Sequence, residues 1–74
     1  MYQIIKENSD ILKDIKQSSY ARILGMTSVN ICNIFAGQPT KLSTVIGIIS
    51  ARYNIATTNE QMEGLIEKHF RKIK

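Results

Sequence analysis

The chain is poor in the residues that build redox, metal or hydrolytic chemistry: it holds one cysteine, one histidine and one proline, four glycines and no tryptophan among 74 residues. A lone Cys32 excludes an internal disulfide and any thiol-rich zinc site, and fits a reducing compartment. His69 has no second histidine or neighbouring cysteine to complete a metal site, so no metal or other cofactor is expected, and it reads as a partly exposed helix residue. No acidic pair is suggestively spaced and no glycine loop is set to cradle a phosphate, which argues against catalysis and against a small-molecule substrate. Long apolar runs are lacking too. The longest, Val45–Ile46 and Ile48–Ile49 around Gly47, fall far short of the roughly 20 residues that cross a bilayer, so no membrane partner is expected. The stretch Met1–Glu7 carries neither a basic leader with an apolar core nor a small-residue cleavage site, and the expectation is a cytoplasmic protein. Charge of one sign is only mildly in excess: ten Lys/Arg against six Asp/Glu give +4, compatible with a polyanionic partner but weak evidence for one.

What is present is an apolar fraction of 43%, enough for one core and hence one domain over residues 1–74. Spacings of three and four recur, whereas period-two alternation is nowhere sustained, so the fold class predicted is all-α with five helices. A first helical stretch is placed within Gln3–Ile15, where Asn8-Ser9-Asp10 offers a cap for a restart. A second runs from Gln17 to Leu24 and stops at Gly25, and a third follows Thr27, carrying Ile31, Ile34 and Phe35 inward as far as Gly37. After Gln38-Pro39-Thr40, a fourth helix presents Leu42, Val45, Ile46, Ile49 and Tyr53 on one face and ends near Asn54. A fifth spans about 60–73 behind the caps Thr57-Thr58-Asn59, with Met62, Leu65, Ile66, Phe70 and Ile73 as its apolar stripe.

The segment Gln17–Phe35 has a more specific pattern. Ala21, Gly25, Ile31 and Ile34 follow one another at offsets of four, six and three, beside Tyr20, Leu24 and Met26. Two helices meeting steeply across a short turn need a small side chain at their crossing, a residue free to take positive φ in the turn, and branched residues on the second helix to lock the angle. Together with Gln17 heading the first motif helix, the Thr27 cap, the Ile34–Gly37 ending and the apolar fourth helix closing on Tyr53-Asn54-Ile55, this resembles the Cro and phage-repressor type of helix-turn-helix protein. That is the large xenobiotic-response-element-type family of small bacterial and phage regulators. The likeness covers roughly Lys16–Ile55 and implies a lambda-repressor-like domain, with its motif at about 17–36.

The resemblance implies that the helix of about 28–36 lies in the major groove of double-stranded DNA and presents Ser28, Val29, Asn30 and Asn33 to base edges. Asn33 suits a paired hydrogen bond to adenine and Val29 a thymine methyl, so an A·T-rich site is expected. Phosphate contacts map onto Gln17, Thr27, Thr40, Lys41 and Ser43. Without the motif, Gln17 would merely begin a helix, and Ser28 and Asn33 would be solvated surface. The sequence departs from the family in having no Arg or Lys on the recognition helix and Ala36 before Gly37. Phosphate attraction then falls to Lys16, Arg22, Lys41 and the tail Lys68, Arg71, Lys72 and Lys74, although such a tail also serves as a solvated basic face. Cys32, amid Asn30, Ile31 and Asn33, reads as a small filler rather than a redox sensor.

One recognition helix reads few base pairs, so a homodimer is expected, formed by Ile48, Ile55, Met62, Leu65, Ile66 and Phe70 through the fifth helix and the connection before it. The rival expectation is a protein-binding modulator or antirepressor of phage or mobile-element type, which uses the same fold to engage another regulatory protein. An antitoxin suits the size, but the disordered tail that many antitoxins carry is not evident.

Overall fold

The computed structural model describes residues 1–73. They form a mostly helical domain in which four α-helices sit beside a small two-stranded sheet: β1 (Tyr2–Ile4), α1 (Gln17–Leu24), α2 (Ser28–Ala36), α3 (Leu42–Tyr53), α4 (Met62–His69) and β2 (Phe70–Lys72). Two short 3₁₀ turns, Lys6–Asn8 and Asp10–Asp14, link β1 to α1.

Three of the expected helices form where local signals put them. Gly25 closes α1 in the left-handed region (φ 66°), its amide on Arg22 O and the Met26 amide on Ala21 O, so the last carbonyls of the helix are satisfied. Thr27 caps α2, its hydroxyl oxygen accepting from the Asn30 amide at 3.2 Å. Gly37 (φ 118°) ends α2 in the same way as Gly25 ends α1, and Asn54 (φ 54°) ends α3.

The two ends depart from the all-α, five-helix expectation. The Gln3–Ile15 stretch is no α-helix: β1 pairs antiparallel with β2, matching Tyr2 with Lys72, Gln3 with Arg71 and Ile4 with Phe70, and 3₁₀ turns follow. Ser9 does head a restart, its carbonyl accepting from the Leu12 amide at the start of the second turn, but its side chain makes no cap: it is fully buried and donates its hydroxyl to Lys6 O at 3.0 Å. The helix expected over 60–73 is shorter at both ends. Asn59 Oδ1 accepts from the Gln61 amide just before α4, and at the far end β1 claims the chain, with the Ile5 amide donating to His69 O at 2.8 Å. Backbone pairing across the whole length of the sequence thus overrides helical spacing at both termini.

One core joins all of these elements. It is built on Leu12, Tyr20, Ile31, Val45, Ile48 and Ile49, all fully buried, with Ile4 and Phe70 brought in by the sheet. The Tyr20 ring meets Phe35 edge-on at 5.4 Å, and its hydroxyl donates to Leu12 O at 2.6 Å. Burial pushes the Tyr20 phenol up to about 12 despite the opposing charge of Arg52. The buried face of α3 is rotated from the expected one: Leu42 is 43% exposed, whereas Thr44, Val45, Ile48 and Ile49 point inward. The cause is close packing on α1. A Cβ on Gly47 would stand 2.2 Å from Leu24 Cδ2, so the absence of a side chain lets the Thr44–Gly47–Ile48–Ala51 arc approach that helix. Arg52 then ties α3 to the second 3₁₀ turn, donating from Nε to Ile11 O and pairing through Nη2 with Asp14 at 3.0 Å.

His69 is not the partly exposed residue expected from the sequence. It is fully buried, with Nδ1 2.5 Å from Asn8 O and Nε2 2.6 Å from the Tyr53 hydroxyl. A carbonyl can only accept, so Nδ1 carries the proton and Nε2 of the neutral ring accepts from Tyr53. Burial lowers the pKa of the imidazole below its usual 6.5, ahead of the opposing hydrogen bond to Asn8. The ring joins the first 3₁₀ turn, α3 and α4.

Candidate nucleic-acid interface

The α1–α2 pair is fixed from beneath and free from above. Ala21, 5% exposed, is buried on α1, which packs against α2, while Ile31, Ile34 and Phe35 bury the inner face of α2. With both ends of α2 set by the Thr27 cap and Gly37, its outer face is held as one rigid surface. On that surface Ser28, Val29, Asn30 and Asn33 are all exposed, Val29 at 68%, leaving three polar side chains and one branched apolar one in water. An exposed valine flanked by a serine and an asparagine contributes nothing to the core, and this chemistry matches the hydrogen-bonding edges and methyl groups of bases. Cys32 lies on the same outer side, exposed as a free thiol, so it is not a filler of the core. Ala36 is exposed at the end of the helix.

The residues expected at phosphates separate into two groups. Gln17 opens α1, half-buried, Thr27 is exposed at the turn, and Lys41 and Ser43 are exposed at the start of α3. Lys41 and Ser43 share a cleft of about 360 Å³ with Leu24, Met26 and Thr44, so the start of α3 stands beside the motif turn. Thr40 does not belong with them: it is 7% exposed, and its amide and carbonyl both pair with Tyr2 at 2.7 Å, which makes it an extension of the sheet. Among the cations, Lys16, Arg22, Lys68, Arg71 and Lys72 are exposed, and Lys74 lies outside the described residues.

Residues not singled out from the sequence also border this surface. Gln3 Nε2 donates to Gly37 O at 2.7 Å, and the Lys6 side chain runs alongside Gly37. No local signal marks them, since they reach the end of α2 only through the pairing of β1.

The surface expected for a second copy is largely consumed by the chain itself. Ile48 is fully buried, and Met62, Ile66 and Phe70 are 6%, 8% and 2% exposed, because α4 folds back on its own domain. Only Ile55 and Leu65 of that set stay half-buried. Between α3, α4 and the sheet lies a groove of about 640 Å³, with Leu42, Ile46, Met62 and Ile66 in its walls and Glu60, Glu63 and Glu67 along one rim. Among the described residues no group of three His, Cys, Asp or Glu is placed to hold a metal ion, and no helix is long and apolar enough to cross a membrane. The chain matches no protein-family model, and no curated protein or solved structure shows significant similarity to it.

Proposed function

We propose that the protein is a repressor-like transcriptional regulator, acting in the cytoplasm on double-stranded DNA, with α2 as its major-groove reader. The observation that carries this reading is the outer face of α2. Four exposed residues able to meet base edges stand on a helix capped at both ends and packed against α1 through Ile31, Ile34 and Phe35 on its inner side. Asn33 and Asn30 would pair with bases, Val29 would pack on a thymine methyl, and Gln17, Thr27, Lys41 and Ser43 would hold the flanking phosphates. Two copies would read neighbouring half-sites, with Ile55 and Leu65 as the apolar surface remaining for contact between them.

The test is a fluorescence-anisotropy titration with the protein's own promoter region and a scrambled duplex at two salt concentrations. Preference for the promoter duplex, weakened about tenfold or more by Asn33→Ala, supports sequence-specific reading; a pair of hydrogen bonds to one base accounts for roughly 1–3 kcal/mol. Weak binding indifferent to both sequence and substitution rejects it. The groove between α3 and α4 favours a second reading, in which a partner protein docks there: an exposed Leu42 beside half-buried Ile46 offers apolar contact within a charged rim. Under that reading Leu42→Asp abolishes regulation in cells without changing anisotropy on DNA.

A further inference from the structure

We infer that the ribbon formed by the two ends of the chain builds a phosphodiester-binding site beside the end of α2, with Lys6 and Arg71 as its cations; this rests on the DNA reading above. Three placements converge on Gly37. Gln3 on β1 donates to the Gly37 carbonyl at 2.7 Å, so the side of the sheet that bears Gln3 faces the end of α2. Lys6 follows: the point that a Cβ on Gly37 would occupy is 3.6 Å from Lys6 Cε and 3.9 Å from its Nζ. Arg71 is the register partner of Gln3, and side chains directly opposed on antiparallel strands emerge on the same face. Arg71 therefore shares the face of Gln3, while its neighbour Lys72 takes the other face and lines the groove between α3 and α4.

The chain thus places Lys6 beside the segment that leaves the recognition helix and Arg71 on the ribbon face that meets it, both exposed. A helix lying in the major groove has the phosphate backbone at its flanks, and the segment after α2 already carries Lys41. This arrangement compensates for the lack of Lys and Arg on α2 itself, because charges on a flanking ribbon reach phosphates without occupying the base-reading face. The competing structural role is plain: an ammonium beside Gly37 also complements the negative end of the α2 dipole.

The slope of log Kobs against log salt separates the two roles. It is read by anisotropy on the promoter duplex and the scrambled duplex, from about 50 to 200 mM salt. Each phosphate neutralised contributes about 0.9 to that slope, so Lys6→Gln/Arg71→Gln is expected to flatten it by about 1.8 and each single substitution by half as much. Both duplexes should weaken alike, leaving their ratio unchanged, because phosphate contacts carry no sequence information. The control Lys13→Gln, set against each single substitution, removes one exposed charge from the second 3₁₀ turn and should keep the wild-type slope. An unchanged slope in the Lys6/Arg71 pair, even with a lowered melting temperature, overturns the inference, as does an equal loss in the control. If the wild-type protein binds neither duplex, it is the DNA reading that has failed. Lys6→Arg/Arg71→Lys, which retains both charges, should retain the slope, and a loss there overturns the inference as well.

Discussion

The middle of the molecule and its two ends are built by different means. From Gln17 to Asn54 the helix boundaries at Gly25, Thr27, Gly37 and Asn54 are closed by bonds that span at most five positions. The ends have no such local instructions. The Ile5 amide finds His69 O, the Ile73 amide finds Met1 O, and the Tyr2 backbone finds Thr40, so each terminal segment takes its shape from a partner far along the sequence. A local cap forms at little entropic cost, whereas closing the chain on itself must be offset by burial. The ends can therefore be shaped by the core and still be essential to it, because Ile4 and Phe70 are 2% exposed in the same cluster as Ile31 and Ile49.

That distinction is tested most severely at Phe70. Phe70→Ala removes a buried ring from the point where β1, β2 and the helices meet, and is expected to cost about 3–5 kcal/mol. This is a large share of the roughly 5–15 kcal/mol that holds a domain together. Urea unfolding followed by circular dichroism and by tyrosine fluorescence should shift as one coincident transition. Two separated transitions, with helical signal surviving loss of the ends, would mean that α1–α3 stand alone and the ribbon is only appended.

His69 sharpens the comparison through pH. In the unfolded chain the imidazole takes a proton near pH 6.5, while in the fold burial lowers its pKa. As pH falls through 6.5 the unfolded state binds the proton first, so stability declines, and the decline ends once the folded ring is itself protonated; above 6.5 the contribution is constant. His69→Phe should abolish this dependence. It should also cost about 2 kcal/mol at neutral pH by leaving the Tyr53 hydroxyl and Asn8 carbonyl without their partner. Wild-type and variant melting curves that run parallel between pH 7 and pH 5 would sink this account.

How much of this was legible follows the same division. The boundaries of α1 and α2 could be read because left-handed and capping residues signal within a single turn, and the outward positions of α2 followed from its buried ones. The rotation of α3 could not be read, since it depends on Gly47 meeting Leu24 rather than on apolar count. The strands were hidden because Phe70-Arg71-Lys72-Ile73 continues an apolar helical stripe, and only pairing with Tyr2–Ile4 makes it extended. His69 gave no sign either: its partners Asn8 and Tyr53 lie 61 and 16 positions away. Pairing at the ends removed Thr40 and Phe70 from the expected contact surfaces and brought Gln3 and Lys6 toward α2, while the rotation of α3 buried Ile48 and the return of α4 onto the core buried Met62 and Ile66.

A smaller effect is expected at Gly25, where the local mechanism stands without packing. Nothing lies within 4 Å of a Cβ built there, so Gly25→Ala tests the backbone alone. Holding a non-glycine residue at φ 66° should cost about 1–2 kcal/mol, and Gly25→Asn less, since asparagine visits that region more readily. Equal losses for the two variants in thermal melts would point to a contact rather than to φ.

Gly47 provides the finest test, because there local and long-range terms oppose each other in the middle of the molecule. Inside a helix, alanine is favoured over glycine by up to about 1 kcal/mol. Against that, the new methyl would meet Leu24 Cδ2 at 2.2 Å, and displacing this half-buried side chain should cost roughly 1–3 kcal/mol. Gly47→Ala in the wild-type background is therefore expected to lose about 1 kcal/mol, the packing term winning. In a Leu24→Ala background the obstacle is gone, and the same substitution should gain about 1 kcal/mol from helix propensity alone. The double-mutant cycle isolates that change of sign as a coupling between α1 and α3. A gain of equal size in both backgrounds would show that Leu24 simply swings aside, and that the rotation of α3 onto Val45 and Ile48 does not depend on the missing side chain at position 47.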